Sequence, residues 1–441
     1  MKNRLFNSIL IFTVLIVIIA ICVACNKSLP QDEQLEDEKK EIMLPEFISP
    51  PDINYACQDD SKLATYKDKS IADYIEVCDY YKASGYEVYG ESEKNGSLFA
   101  TLVNGSKMAH VYFLADRGEL NVVTSDKAGD TLPPKTPDVV DGEYEVTITQ
   151  MQDATHVNGM CYIIQLADGS YIVYDGAYTN QSQKIMQHFK RTAPDENNIV
   201  IRAWILTHSH EDHYPAFGDF AKKYASKATV EYVIIAPIER ELAATMHGGD
   251  TYFNDNIAAD IAKFDGAKTV YAHTGMEFKF CNLNLEILLS PDDLFKEENH
   301  GGNFNNTSIV SRVYDDEYSF FAAADTAFAG CEWLMSVYGE YLKSDICQVA
   351  HHGVEDAPIS FYDFIKAPIL YYPCLQWLYD ANSRNNEVRD ALEKREYTKE
   401  ILIAELARFT RAWGTKFAED APLSMPNYIP PVDDGDDTLD F

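Results

Sequence analysis

Thr207-His208-Ser209-His210-Glu211-Asp212-His213 is the stretch on which the fold is decided. It follows Val200-Ile201-Arg202-Ala203-Trp204-Ile205-Leu206, an apolar, β-branched run of strand length. Pro215 and an amphipathic segment, Phe217 to Tyr224, come next and predict a helix. Three histidines and an aspartate therefore occupy a strand-to-helix loop, where side chains can converge on one point. Neutral imidazole and carboxylate are the donor set of zinc and similar divalent ions. His208 and His210 alternate by two and can face one ion, while Asp212 and His213 turn toward a second. A plain capping loop would also use Ser and Asp, but four ligand-type residues within the six positions 208–213 are rare by chance.

Four further stretches place polar groups beside apolar runs. Asp175 ends Tyr171-Ile172-Val173-Tyr174, and Asp325 ends Phe320-Phe321-Ala322-Ala323-Ala324. His351 and His352 follow Ile346-Cys347-Gln348-Val349-Ala350 and precede Gly353. Asn305-Asn306-Thr307-Ser308 precedes the strand Ile309-Val310. An α/β scaffold builds a metal site by displaying ligands at several strand ends along one sheet edge. Taken singly, Asp325 could cap a helix near Ala327, Asp175 could be a turn residue, and the histidine pair could be surface. Their occurrence together with the opening loop favours a shared site.

The order His208-x-His210-x-Asp212-His213, with Asp175 before it and Asp325 and His351-His352-Gly353 after it, resembles the metallo-β-lactamase superfamily over roughly residues 140 to 413. The resemblance implies an αββα sandwich with one or two divalent ions at the sheet edges, zinc first, manganese or iron otherwise. By that resemblance His208 and His210 would bind the first ion. Asp212, His213 and one of His351 and His352 would bind the second, with Asp325 between the two. Asp175 would orient the loop from behind. Many members supply one more histidine to the first ion; here only His300 and His273 are candidates. Asn305-Asn306-x-Ser308 instead resembles a subgroup without it, which includes the hydrolase domain of the competence DNA-uptake channel and surface phosphorylcholine esterases. The first site would then keep open positions for a phosphate oxygen or water.

The chain's 441 residues carry 70 Asp and Glu against 37 Lys and Arg, a formal charge of −33. Such a balance repels phosphate backbones and disfavours nucleic acid as a ligand. Lys2 and Arg4 precede the apolar run Ile9 to Val23, which reads as a signal peptide or short anchor. Ala24 before Cys25 resembles a bacterial lipobox, although Cys22 stands where that pattern usually has Leu. The chain is thus expected outside the cytoplasm, held to the membrane by a lipid on Cys25. The seven later cysteines show no CxxC spacing and an odd count; Cys57 with Cys78 is the pair left open.

The expected fold class is α/β, an αββα metallo-β-lactamase sandwich preceded by a small α+β domain. Residues 1–25 form the signal peptide, and 26–55 an acidic, proline-punctuated linker. Residues 56–127 form the small domain. In it Ser70 and Asp73 cap a helix with Ile71, Tyr74, Ile75, Cys78 and Tyr81 on one face. Leu98–Val103, Asn104-Gly105 and Ala109–Leu114 form a hairpin. His110 reads there as a packing or surface residue. Residues 140–413 are the hydrolase domain, and 421–441, with five aspartates and no Lys or Arg, a disordered tail.

The expected activity is hydrolysis at the outer cell surface by a metal-activated hydroxide, on a phosphodiester or phosphoester of a small or cell-envelope molecule. Asp212 and His352 are the expected catalytic residues, His352 as proton donor if His351 is the ligand. Asn305, Asn306, Ser308 and Tyr214 border the site as second-layer or substrate contacts. The alternatives are a lactonase, thioesterase or nuclease of the same fold, or a non-catalytic surface lipoprotein whose metal is structural.

Overall fold

In the computed structural model, residues 50–136, 144–152, 158–297, 303–354, 356–380 and 386–426 are described. The apolar N-terminal run, Cys25, the acidic linker up to residue 49, His300 and the tail from 427 onward lie outside them.

Strands β1 (Ile53–Ala56), β2 (Lys62–Tyr66), β3 (Glu87–Lys94), β4 (Ser97–Asn104), β5 (Lys107–Leu114) and β6 (Glu119–Ser125) form an antiparallel sheet in the order β1-β2-β6-β5-β4-β3. The hairpin turn falls at Gly105-Ser106, one residue later than expected, because Asn104 still pairs with Lys107. Helix Ile71–Ala83 starts at the expected capping box, with the Ser70 amide and hydroxyl both donating to the Asp73 carboxylate. Its buried stripe is Tyr74, Val77, Cys78 and Tyr81, an i, i+3, i+4, i+7 set. Ile71 and Ile75, assigned to that face from sequence, are about half exposed.

The remaining strands make two seven-stranded sheets. One holds β7 (Thr147–Gln150), β8 (Cys161–Gln165), β9 (Tyr171–Asp175), β10 (Ile199–Ile205), β11 (Ala228–Ile235) and β12 (Lys268–Tyr271). The other holds β13 (Glu277–Phe280), β14 (Leu283–Leu289), β15 (Val310–Tyr314), β16 (Ser319–Ala322), β17 (Ile346–Gln348), β18 (Ile369–Tyr372) and β19 (Glu400–Ile403). β20 (Phe409–Ala412) returns to the first of these and pairs with β7.

Period-two alternation explains the layering. On β9, Ile172 and Tyr174 face the core between the sheets, while Tyr171 and Val173 face the helices Gln181–Thr192 and Pro215–Tyr224. On β8, Tyr162 and Ile164 face inward and Cys161 and Ile163 outward. The opposite sheet meets them with Phe320, Ala322 and Tyr371. The result is the expected αββα sandwich.

The six-stranded sheet shares that core. Phe99, Tyr112 and Val123 belong to the same apolar cluster as Ile164 and Leu285. Buried polar contacts reinforce the junction: His110 Nε2 donates to the Thr274 carbonyl at 2.8 Å, and Lys296 Nζ reaches Glu119 at 2.5 Å and Asp293 at 3.0 Å. Lys94, almost fully buried, pairs with Glu277 and Glu286. Such charges are tolerable only because each is matched. Neither Cys57 nor Cys78 is in a disulfide, so the pair left open from sequence is not bridged. Ser424, inside the segment expected to be disordered, forms a parallel bridge with Glu400. No described helix is long and apolar enough to cross a membrane.

Candidate metal centre

β9 and β10 run parallel, as do β16 and β17, so their carboxyl ends share an edge of the sandwich. A hydrogen bond from the Ile309 amide to the Thr207 carbonyl, 3.0 Å, ties the two sheets together there. Several residues at this edge are left-handed although they are not glycine: Asp175, Ala177, Ala324, His351 and His352, with φ between 46° and 60°. Each costs on the order of 1 kcal/mol or more, a strain typically retained where it aims functional groups.

Asp325 Oδ2 lies 3.2 Å from His213 Nε2 and 3.7 Å from both His208 Nε2 and His352 Nε2. His352 Nε2 is 3.0 Å from Asp212 Oδ2, and His208 Nε2 is 2.9 Å from His210 Nδ1. Two groups of donors result, each within 4.8 Å of one another: His208, His210 and Asp325, and Asp212, His213, Asp325 and His352. Asp325 belongs to both. His213 Nε2, Asp325 Oδ1 and His352 Nε2 are buried and make no hydrogen bond. Leaving three such atoms unsatisfied would be costly, and a divalent ion is the partner that suits all three.

Each histidine is held from behind, as metal ligands usually are. His213 Nδ1 donates to Asp175 Oδ2 at 2.7 Å, His352 Nδ1 to the Pro373 carbonyl at 2.5 Å, and His210 Nε2 to the Gly248 carbonyl at 2.8 Å. His208 Nδ1 lies 3.4 Å from Ser308 Oγ, which also accepts from the Asp325 amide. Asp175 accepts the amide and hydroxyl of Thr207, each at 2.7 Å. It thereby fixes the first residue of the loop and the last imidazole together.

The electrostatics call for positive charge. Burial, then the imidazoles of His213 and His210, holds His208 well below its ordinary pKa, so it is a neutral donor. Burial disfavours charge on His213 and His352 as well, but the surrounding carboxylates, Asp325 foremost, prevail. They raise His213 well above its usual value and His352 to about 8. Asp325 is held as a carboxylate despite burial, chiefly by His213. Three carboxylates, Asp175, Asp212 and Asp325, crowd this point and are matched by protons or by cations.

The other candidates separate. His351 joins neither donor group; its Nδ1 pairs with Asp356 Oδ2 at 2.6 Å, and its ring is partly exposed. Its backbone, left-handed like that of His352, turns the two side chains apart, and only the second points inward. Asn305 Nδ2 lies 3.1 Å from His351 Nε2. Asn306 is buried, and its Oδ1 accepts the amides of Ala327 and Gly330, capping helix Phe328–Tyr338. A Cβ at Gly330 would lie 2.1 Å from Thr326 Oγ1, so that approach requires glycine. Asp325, read as a possible cap for this helix, is thereby free for the cluster. Tyr214 is also buried, donating to the Asp260 carboxylate and packing on Tyr252 and Phe253. His273 lies elsewhere, against Asp292.

A cavity of about 470 Å³ opens beside the first group, lined by His210, His247, Gly248, Asn303, Phe304, Asn305, His351 and Asp356. His247, Asp356 and the Gly248 and Pro373 carbonyls were not singled out from sequence. Backbone carbonyls carry no residue-type signal, whereas Asp356, five residues after His351, could have been noticed.

The family model of the metallo-beta-lactamase superfamily matches residues 154–368. Those residues are a metallo-beta-lactamase superfamily domain. Among solved structures, the metallo-beta-lactamase fold protein YhfI from Bacillus subtilis is similar over 60% of this chain and 99% of its own, at 10% identity and TM-score 0.37. Zn(2+)-bound PqqB from Methylobacterium extorquens is similar over 44% of this chain and 61% of its own, at 14% identity and TM-score 0.29. CmlA, a diiron beta-hydroxylase from Streptomyces venezuelae, is similar over 62% and 46% respectively, at 15% identity and TM-score 0.33. The chain spans less than two thirds of the length of the latter two. No curated protein matches the chain. At the sheet edge of this domain, among the described residues, His208, His210, Asp212, His213, Asp325 and His352 form the donor groups that could hold ions.

Proposed function

We propose that the chain is a metal-dependent hydrolase of phosphodiester or phosphoester bonds, in a small molecule or cell-envelope component. The observation that carries this reading is the asymmetry of the donor groups. Among the described residues His208, His210 and Asp325 would hold one ion with three donors, and Asp212, His213, Asp325 and His352 the other with four. The three-donor side is the one that opens on the cavity, through His210, so a substrate oxygen has room there. Bound there, divalent ions, zinc first among the candidates, supply Lewis acidity, acidifying water and drawing charge from a phosphoryl or acyl oxygen.

The protein's own groups do the rest. Asp175, Pro373 and Gly248 fix which imidazole nitrogens point inward. His351, on the cavity wall with Nδ1 held by Asp356, takes the proton-donor role assigned from sequence to His352, giving a proton to the leaving oxygen. Phe304, with its ring centroid 4.9 Å from that of His210, walls one side.

The test is release of p-nitrophenol from bis(p-nitrophenyl) phosphate and p-nitrophenyl phosphorylcholine with zinc or manganese. Turnover of either supports the reading. Failure on both with metal bound removes it, and lactone and thioester substrates then decide among acyl chemistries. Cleavage of single-stranded DNA at low salt would instead favour a nuclease, against the net charge of −33. The expected address, outside the cytoplasm with a lipid on Cys25, rests on the N-terminal sequence; Cys25→Ser should release the protein from membranes.

A further inference from the structure

A second group of metal-type donors is buried away from Asp325, where the six-stranded sheet meets the sandwich. Cys57 follows β1 directly, Asp59 lies two residues on in the β1–β2 turn, His273 follows β12, and Asp292 opens helix Asp292–Phe295. One donor atom from each of Cys57, His273 and Asp292 lies within 4.8 Å of the others. His273 Nδ1 is 2.9 Å from Asp292 Oδ2, and His273 Nε2 is 3.8 Å from Asp59 Oδ2. His273 is only 3% exposed, and its Nε2 makes no hydrogen bond.

The turn is shaped to present these donors. The Cys57 amide donates to the Ser61 carbonyl at 3.0 Å. Ser61 donates from both amide and hydroxyl to Asp59 Oδ1, which leaves Oδ2 directed at His273. Asp60 between them is left-handed at φ 67°.

We propose that Cys57, His273 and Asp292 bind one zinc-class divalent ion that fastens the β1–β2 turn to the sandwich, with Asp59 facing the other ring nitrogen of His273. Thiolate, imidazole and carboxylate are donors that suit zinc, and the burial of all three at this junction suits a structural ion rather than a reactive one. Binding displaces the protons of the Cys57 thiol and of His273, which leave to solvent. The metal-free alternative, an imidazolium between two carboxylates, uses His273, Asp59 and Asp292 but gives the buried sulfur no task.

Cobalt(II) loading of the full chain separates this site from the one at Asp325, which has no sulfur donor. A thiolate-to-cobalt charge-transfer band in the near ultraviolet is expected in the wild type. It should be absent in Cys57→Ser, which keeps its hydrolytic activity and loses one ion per chain. Excess zinc should bleach the wild-type band. A cobalt-saturated wild type without the band overturns the proposal even if the variant fails to fold, and so does a band that survives in Cys57→Ser.

Discussion

His213 Nδ1 and Asp175 Oδ2 stand 2.7 Å apart, both fully buried, and this bond decides which nitrogen of His213 faces Asp325. The same carboxylate holds the Thr207 amide and hydroxyl. Asp175→Asn keeps the shape and tolerates the left-handed backbone at φ 50°, but removes the charge. Metal affinity should fall by roughly 10–100-fold, read by chelator competition, with little change in secondary structure. Unchanged affinity would mean that Asp175 serves the loop alone.

The adjacent histidines should behave differently. His352→Ala removes a buried donor and should lower metal content. His351→Ala should leave metal content intact while lowering kcat by on the order of 100-fold, the usual scale for losing a general acid. Metal analysis beside steady-state kinetics checks both. Equal metal loss in the two variants would place both histidines at the ions.

Asn306 caps a helix from a distance, and Asn306→Ala should lower stability by about 1 kcal/mol, read as a shift in the denaturant midpoint. KM should stay within twofold. A large KM change with unchanged stability would return Asn306 to the substrate.

Burial lowers the pKa of His110 and His188 to about 3, against about 6.5 in the unfolded chain. Between those values the unfolded state binds more protons. The stabilisation from keeping these rings neutral is therefore complete above about pH 6.5 and lost progressively as pH falls toward 3. The slope is about 1.4 kcal/mol per pH unit for each ring. Urea melts from pH 7 to 4.5 should show the decline, and His110→Gln should flatten it. A variant with the wild-type slope would contradict the assignment.

The sandwich was legible because its strands alternate or run apolar at the expected lengths and end in polar residues at one edge. The clustering of His208, His210, Asp212, His213, Asp325 and one of two histidines followed from the same pattern. Choosing between His351 and His352 did not, because two left-handed residues in succession, not residue type, turn one inward and the other out. The buried partners of Asn306 and Tyr214, read as second-layer or substrate contacts, were not legible because a polar residue near a site looks the same in sequence whether it meets solvent or a buried partner. The junction of the first sheet with the sandwich was invisible: His110 to Thr274, and Lys296 to Glu119, join residues more than 160 positions apart.

The most direct test of the hydrolytic reading is phosphodiester turnover by chelator-stripped protein as zinc or manganese is returned. Activity should be absent without metal, rise with added ion, and remain absent in Asp325→Asn at every metal concentration, because Asp325 belongs to both donor groups. Full activity in the stripped protein, or undiminished activity in Asp325→Asn, would contradict it.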